Sequence, residues 1–153
     1  MSEWIASRVT FGPANRSSAL DLTADWRRLL AFPPGERFGP SPLFDALDAA
    51  VSRVRSLPGK RAVVLWTDGR PTGNVLSADE VRARGVGAGV SINVIVDDNR
   101  WVTDPTHDRL KIDKCQVFAA MTRATGGMCL MNPHPTSAPV TQLQQIVEQL
   151  RKG

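Results

Sequence analysis

The stretch Arg61-Ala-Val-Val-Leu-Trp-Thr67-Asp68-Gly69 constrains the fold more than any other in the chain. Five apolar residues in succession, Ala62 to Trp66, stop abruptly before a carboxylate and a glycine. A short apolar run without alternation reads as a strand buried on both faces, and such strands belong to parallel sheets covered by helices. Asp68 then falls at the C-terminal edge of the strand, where open α/β sheets bind their ligands. The local alternative is a turn, in which the aspartate accepts nearby backbone donors and Gly69 takes a positive φ. What else reaches the same edge decides between a ligand site and a turn.

The surrounding sequence supplies the other layers. Glu3 to Phe11 has the β-branched and aromatic content of a strand, with Ile5, Val9 and Phe11 on one face; Gly12-Pro13-Ala14-Asn15 turns the chain, and Ser18 to Leu22 reads as the return strand of a hairpin. Thr23 caps a short helix that Pro33-Pro34-Gly35 stops. Ser41-Pro42 opens the next helix, serine as cap and proline in the first turn. Its apolar stripe is Leu43, Leu47, Ala50, Val51 and Val54, and Asp45, Asp48, Ser52 and Arg55 look outward. Ser77-Ala-Asp-Glu80 is a capping box for a helix reaching Arg84 or beyond, and Gly85-Val-Gly87-Ala-Gly89 reads as a helix-to-strand turn, in the wrong order for a dinucleotide loop. Val90 to Val96 is a second buried strand. A helix over Lys114 to Thr125 ends at Gly126-Gly127, a short strand follows at Met128 to Met131, and a closing helix over Val140 to Leu150 turns Leu143, Ile146, Val147 and Leu150 inward. Alternating helices and strands predict one domain with a mainly parallel sheet covered on both faces.

Composition narrows the function. The chain has 153 residues, 42% hydrophobic and 22% charged, with a net charge of +4. No segment approaches the roughly 18 apolar residues of a membrane span. Basic residues are dispersed (Arg27, Arg28, Arg53, Arg55, Arg82, Arg84, Arg151, Lys152) and not gathered with aromatics on one face, which argues against a nucleic-acid surface. Cys115 and Cys129 read as buried free thiols, with a single disulfide as the alternative. His107 and His134 sit in loops without ligand-like spacing to another Cys, His or acid. There is no nucleophile elbow, Cys-His pair or phosphate loop.

Several stretches carry a family resemblance, in order along the chain. Arg8-Val-Thr-Phe11 followed by Leu22-Thr-Ala-Asp25, then Gly39-Pro-Ser41-Pro-Leu-Phe-Asp-Ala-Leu47, then Lys60 to Gly69, then Arg123-Ala-Thr-Gly-Gly127 together resemble a von Willebrand factor type A (vWA) domain of the bacterial type. The resemblance covers the chain from about Glu3 to the C-terminus. It implies a three-layer α/β domain, vWA/Rossmann-like, with a doubly wound sheet. In that family a metal-ion-dependent adhesion site joins three loops: Asp-x-Ser-x-Ser after the first strand, a threonine from the second loop, and an aspartate after the fourth strand. Asp68 matches the last aspartate, and Ser41 stands where the threonine would be, keeping the hydroxyl. The Asp-x-Ser-x-Ser motif has no counterpart, so the chain matches the family from its second strand onward.

That departure sets the expectations. The domain is read as N-terminally truncated, a fragment or a chain with a misplaced start, any signal peptide being lost with the missing part. Mg²⁺ or Mn²⁺ held by Asp68 and Ser41 alone would bind weakly or not at all, since Mg²⁺ wants six oxygens. The expected function is a non-catalytic protein-binding module with an incomplete metal site, whose partner offers an acidic side chain to the metal; Arg70 and Asn74 are rim contacts. The alternatives are a small metal-assisted hydrolase using Asp68 with Asp97 or Asp98, and a purely structural domain. In the family's sheet order (3-2-1-4-5-6) the missing first strand is central, so the resemblance also implies exposed strand edges, which favour self-association.

Overall fold

The structure, a computed structural model, describes residues 9–11, 17–19, 40–97, 114–133 and 139–153. The elements in chain order are β1 (Val9–Phe11), β2 (Ser17–Ala19), α1 (Leu43–Val54), β3 (Arg61–Thr67), α2 (Ala78–Ala88), β4 (Val90–Asp97), α3 (Gln116–Ala124), β5 (Cys129–Asn132) and α4 (Val140–Lys152). The expected helix at Thr23, the loops holding His107 and His134, and Asp98 lie outside the described residues. β1 and β2 pair antiparallel from Val9↔Ala19 to Phe11↔Ser17, as the hairpin reading requires.

β3, β4 and β5 form a parallel sheet in that order. The register runs from Arg61↔Val90 to Thr67↔Val96 and from Val94↔Cys129 to Asp97↔Asn132. Because side chains alternate along a strand, Val90, Ile92, Val94 and Val96 share one face of β4. They form a continuous core with Val63, with Leu43, Leu47 and Val51 of α1, Val81 of α2, and Phe118 and Met121 of α3. Each such side chain removed from water contributes about 1.5–3 kcal/mol. Asn93 and Ile95 on the other face are buried too. α4, which meets the sheet at β5 and buries Ile146, provides the layer there. The result is an α/β fold of parallel strands with flanking helices.

Several expectations are corrected by this arrangement. The strand buried on both faces is β4. In β3, Val64 and Trp66 remain 42% and 46% exposed, because among the described residues this strand ends the parallel sheet and no element lies over that part of its second face. In α4 only Ile146 is buried, while Leu143 is exposed. The glycine-rich segment is mostly helix: α2 continues to Ala88, and Gly89 alone makes the left-handed cap, at φ +61°. Gly85 is needed for close packing instead, since a Cβ there would lie 2.7 Å from Ile92 Cδ1.

The cysteines are not free thiols. Cys115 and Cys129 form a disulfide, with 5.7 Å between their Cα atoms. The nine residues of α3 advance only about 13 Å at 1.5 Å per residue, a distance the five steps from Ala124 to Cys129 readily recover. A loop of this length, with a sequence separation of 14, gains about 3 kcal/mol on closure in the chain-entropy account.

Two polar devices hold the core in register. The buried Asn93 side chain donates from Nδ2 to the Val63 carbonyl (3.4 Å) and Ser91 Oγ (3.2 Å), and its Oδ1 accepts from Met128 N (3.1 Å). Thr125 Oγ1 accepts from Ile92 N (3.0 Å) and donates to Met121 O (2.9 Å), bonding the end of α3 to β4. Gly127 follows so closely over β4 that a Cβ there would fall 1.9 Å from the Ile92 carbonyl oxygen.

The capping box of α2 forms as expected: Glu80 N donates to Ser77 Oγ (3.3 Å) and Ser77 N to Glu80 Oε2 (2.8 Å). The Ser77 backbone N–H foremost, then its hydroxyl, and more weakly Arg84, hold the Glu80 carboxyl below its ordinary value. A depressed carboxylate pKa stabilises the fold above the unfolded value, and that contribution is lost as pH falls through the folded one.

The packing and the cap each predict an outcome. Gly127→Ala will lower stability by about 2 kcal/mol or more, seen as a lower denaturant midpoint at unchanged slope. In an NMR titration, the Ser77 and Glu80 amide shifts of the wild type will move together at a pH below the usual glutamate range, and Glu80→Gln will abolish that transition.

Candidate functional site

The C-terminal edge of the sheet is where Asp68, Asp97 and Asn132 end or succeed their strands. Asp68 is half-buried, and its Oδ1 accepts the Arg70 amide at 3.2 Å. Thr67 Oγ1 accepts Gly69 N (3.1 Å), and Gly69 has φ +81°. A Cβ on Gly69 would meet Val96 Cγ1 at 2.8 Å and Lys114 Cβ at 3.2 Å. The aspartate–glycine turn therefore exists, and its geometry turns the chain out of the sheet while leaving Asp68 Oδ2 without a hydrogen bond among the described residues.

The loop beyond Asp68 is bonded to the start of α1. Thr72 Oγ1 accepts Ser41 N (2.8 Å), and Ser41 O accepts Thr72 N (2.9 Å). Asn74 Oδ1 accepts Phe44 N (2.8 Å). The Asp45 carboxylate accepts Val75 N (2.9 Å) and Leu76 N (2.8 Å). Five backbone amides are thus satisfied between two segments some thirty residues apart. Gly73, at φ +68°, lies close enough to Pro40 that a Cβ would approach its ring carbon at 2.8 Å.

This corrects the reading of the helix start. α1 begins at Leu43 with Pro42 in the cap position and no side-chain cap from its own segment. The Ser41 hydroxyl does not cap; Asn74 takes over that role from the neighbouring loop. Asp45 does not look outward, being the anchor of Val75 and Leu76. Local spacing marked Asn74 only as a rim residue and gave no sign that Asp45 bridges to another loop.

The third part of the edge is Asp97. Its Oδ1 accepts Trp66 Nε1 (2.9 Å) from β3 and Asn132 Nδ2 (2.8 Å) from β5, so one carboxylate ties the ends of all three parallel strands. Lys114 Nζ donates to the Asp97 carbonyl (3.3 Å) with its aliphatic stem over Gly69.

For a divalent cation this donor set is thin. No group of three or more His, Cys, Asp or Glu side chains placed to hold a metal occurs among the described residues. Both Asp45 oxygens and Asp97 Oδ1 accept protein donors, which leaves, among the described residues, one carboxylate oxygen each on Asp68 and Asp97 and the hydroxyls of Ser41 and Thr72. These do not make a metal site by themselves, because Mg²⁺ takes six oxygens in near-octahedral geometry.

Asp45→Ala will leave the Val75 and Leu76 amides without partners and cost about 1–3 kcal/mol. Amide exchange at residues 72–76 will quicken in that variant. Asp68→Asn, which keeps an acceptor for Arg70 N, will leave stability within about 0.5 kcal/mol of wild type in the same denaturation assay.

No family model and no curated protein sequence matches the chain. Among solved structures, the chain is similar to the crystal structure of conserved hypothetical protein BatB from Bacteroides thetaiotaomicron, with a TM-score of 0.62 and 16% identity over 100% of this chain and 82% of that one. At that identity the likeness is one of fold.

Proposed function

We propose that the chain is a non-catalytic protein-binding module of the vWA type, whose contact surface is the C-terminal edge of the sheet around Asp68 and Ser41. The observation that supports this reading is the hydrogen-bonded platform joining the Asp68 loop to the start of α1. A loop held by five amides is pre-organised, and pre-organisation lowers the entropy lost on binding a partner. The ordered motif matches support the same reading, and the fold likeness to BatB supports the α/β architecture it assumes.

Recognition would centre on Asp68, with the hydrogen-bonded pair Ser41 and Thr72 on the loop that follows it and Arg70 exposed on the rim. A cation at this edge would depend on oxygens from water and from an acidic side chain of the partner. Of the two acids that a hydrolase could pair with Asp68, Asp97 already accepts Trp66 Nε1 and Asn132 Nδ2 on its Oδ1, which makes it a poorer general base and supports binding over hydrolysis through that residue. Among the described residues no helix is long and apolar enough to cross a membrane.

Titration with Mg²⁺ and Mn²⁺, monitored by thermal unfolding, tests the metal component. A cation present at its own dissociation constant adds only about 0.4 kcal/mol. The expected outcome is a small rise in Tm that appears only at millimolar or higher concentrations and disappears in Asp68→Ala. Turnover of phosphate or carboxylate esters with either metal, abolished by Asp68→Ala, would replace the binding reading with the hydrolase.

A further inference from the structure

The Cys115–Cys129 bond joins two segments that both reach the candidate site. Cys115 follows Lys114, whose Nζ donates to the Asp97 carbonyl and whose stem covers Gly69, one residue beyond Asp68. Cys129 opens β5, whose last residue, Asn132, donates to the Asp97 carboxylate. Both cysteines are half-buried and line an open hollow of about 280 Å³ with Ala119, Thr122, Arg123 and Gly127. The hollow gives a small thiol a route to the sulfurs, and a cationic group such as Arg123 favours the thiolates formed in exchange.

We propose that the Cys115–Cys129 disulfide is a reductant-accessible clasp that sets the order of the Asp68 loop through Lys114. The co-reactant is a dithiol. Its thiolate attacks one cysteine sulfur, forming a mixed disulfide and expelling the other cysteine as a thiolate. The second thiol of the reductant, deprotonated, attacks its own sulfur in the mixed disulfide, closing the reductant's disulfide and releasing the second cysteine. Two electrons pass to the protein, and the two cysteine thiolates take up the two protons the dithiol gives up. Opening the bond removes the covalent link that fixes the start of α3 to β5. Lys114, one residue before that link, then loses its fixed position over Gly69. The proposal concerns the order of the Asp68 loop whatever that loop binds.

The test uses the full chain. Dithiothreitol is added without denaturant, free thiols are trapped with iodoacetamide, and intact mass and hydrogen exchange are read on the same sample. The expected result is two carbamidomethyl groups, with exchange at residues 67–72 and 114–118 faster by on the order of tenfold, while residues 90–96, which exchange through global unfolding, stay protected over the same minutes and quicken only by the global stability the bond supplied. Lys114→Met, with the disulfide intact, will quicken exchange at 67–72 alone. A Cys115→Ala/Cys129→Ala double variant will show the reduced pattern without dithiothreitol. The proposal is overturned by any of three results: a bond that opens only in denaturant, reduction that leaves 67–72 unchanged, or reduction after which 90–96 exchange over the same minutes as the loop.

Discussion

The burial of β4 on both faces is the constraint on which the rest of the structure depends. A strand with Val90, Ile92, Val94 and Val96 against three helices, and Ile95 buried on the other side, cannot leave polar atoms unpaired without a cost of about 1–3 kcal/mol each. The chain meets this by giving nearly every polar feature of β4 a partner in a different element. Thr125 accepts the Ile92 amide, Asn93 reaches Val63 and Met128, and Asp97 collects Trp66 and Asn132. The same bonds that satisfy the strand also fix what surrounds it.

The sheet edge inherits its order from this arrangement. Asp97 ends the buried strand and holds its two neighbours level, so β3 stops where Gly69 can turn against Val96. The loop that leaves there is held by the first turn of α1. Asp45 and Asn74 do for this loop what a capping residue does for a single helix end, but across some thirty residues of sequence. The ionic contact of Arg84 with Asp48, which also joins α2 to α1, is exposed on the arginine side and contributes under about 1 kcal/mol.

Features that depend on near neighbours in sequence were legible from the chain alone. The capping box at Ser77, the glycine stop after α3, the hydrophobic run of β4 and the helical stripe of α1 all express local periodicity or cap chemistry. The α/β class followed from their order. Features that depend on what comes to lie beside them were not. The run Ala62–Trp66 has the composition of a doubly buried strand, yet Val64 and Trp66 stay exposed because burial belongs to a strand's position in the sheet. Asp45 has the spacing of a solvent-facing residue and becomes an anchor only because residues 75–76 return to it. The pairing of Cys115 with Cys129 depends on the path of the turn between α3 and β5. At the candidate site, the motif order proposed Asp68 and Ser41, whereas Asn74's capping role and the engagement of Asp97 required the assembled edge.

Asn93 has a consequence for how the chain chooses its final alignment. Val90, Ile92, Val94 and Val96 are close in shape and all β-branched, so sliding β4 by two residues against β3 would keep every apolar side chain on its proper face. Hydrophobic burial alone would scarcely tell the two alignments apart. A slid strand would carry the Asn93 amide away from the Val63 carbonyl and from Met128 N, stranding polar groups in a dry interior. One asparagine thus breaks a near-degeneracy that the apolar residues create, acting as a proofreading mark for strand alignment.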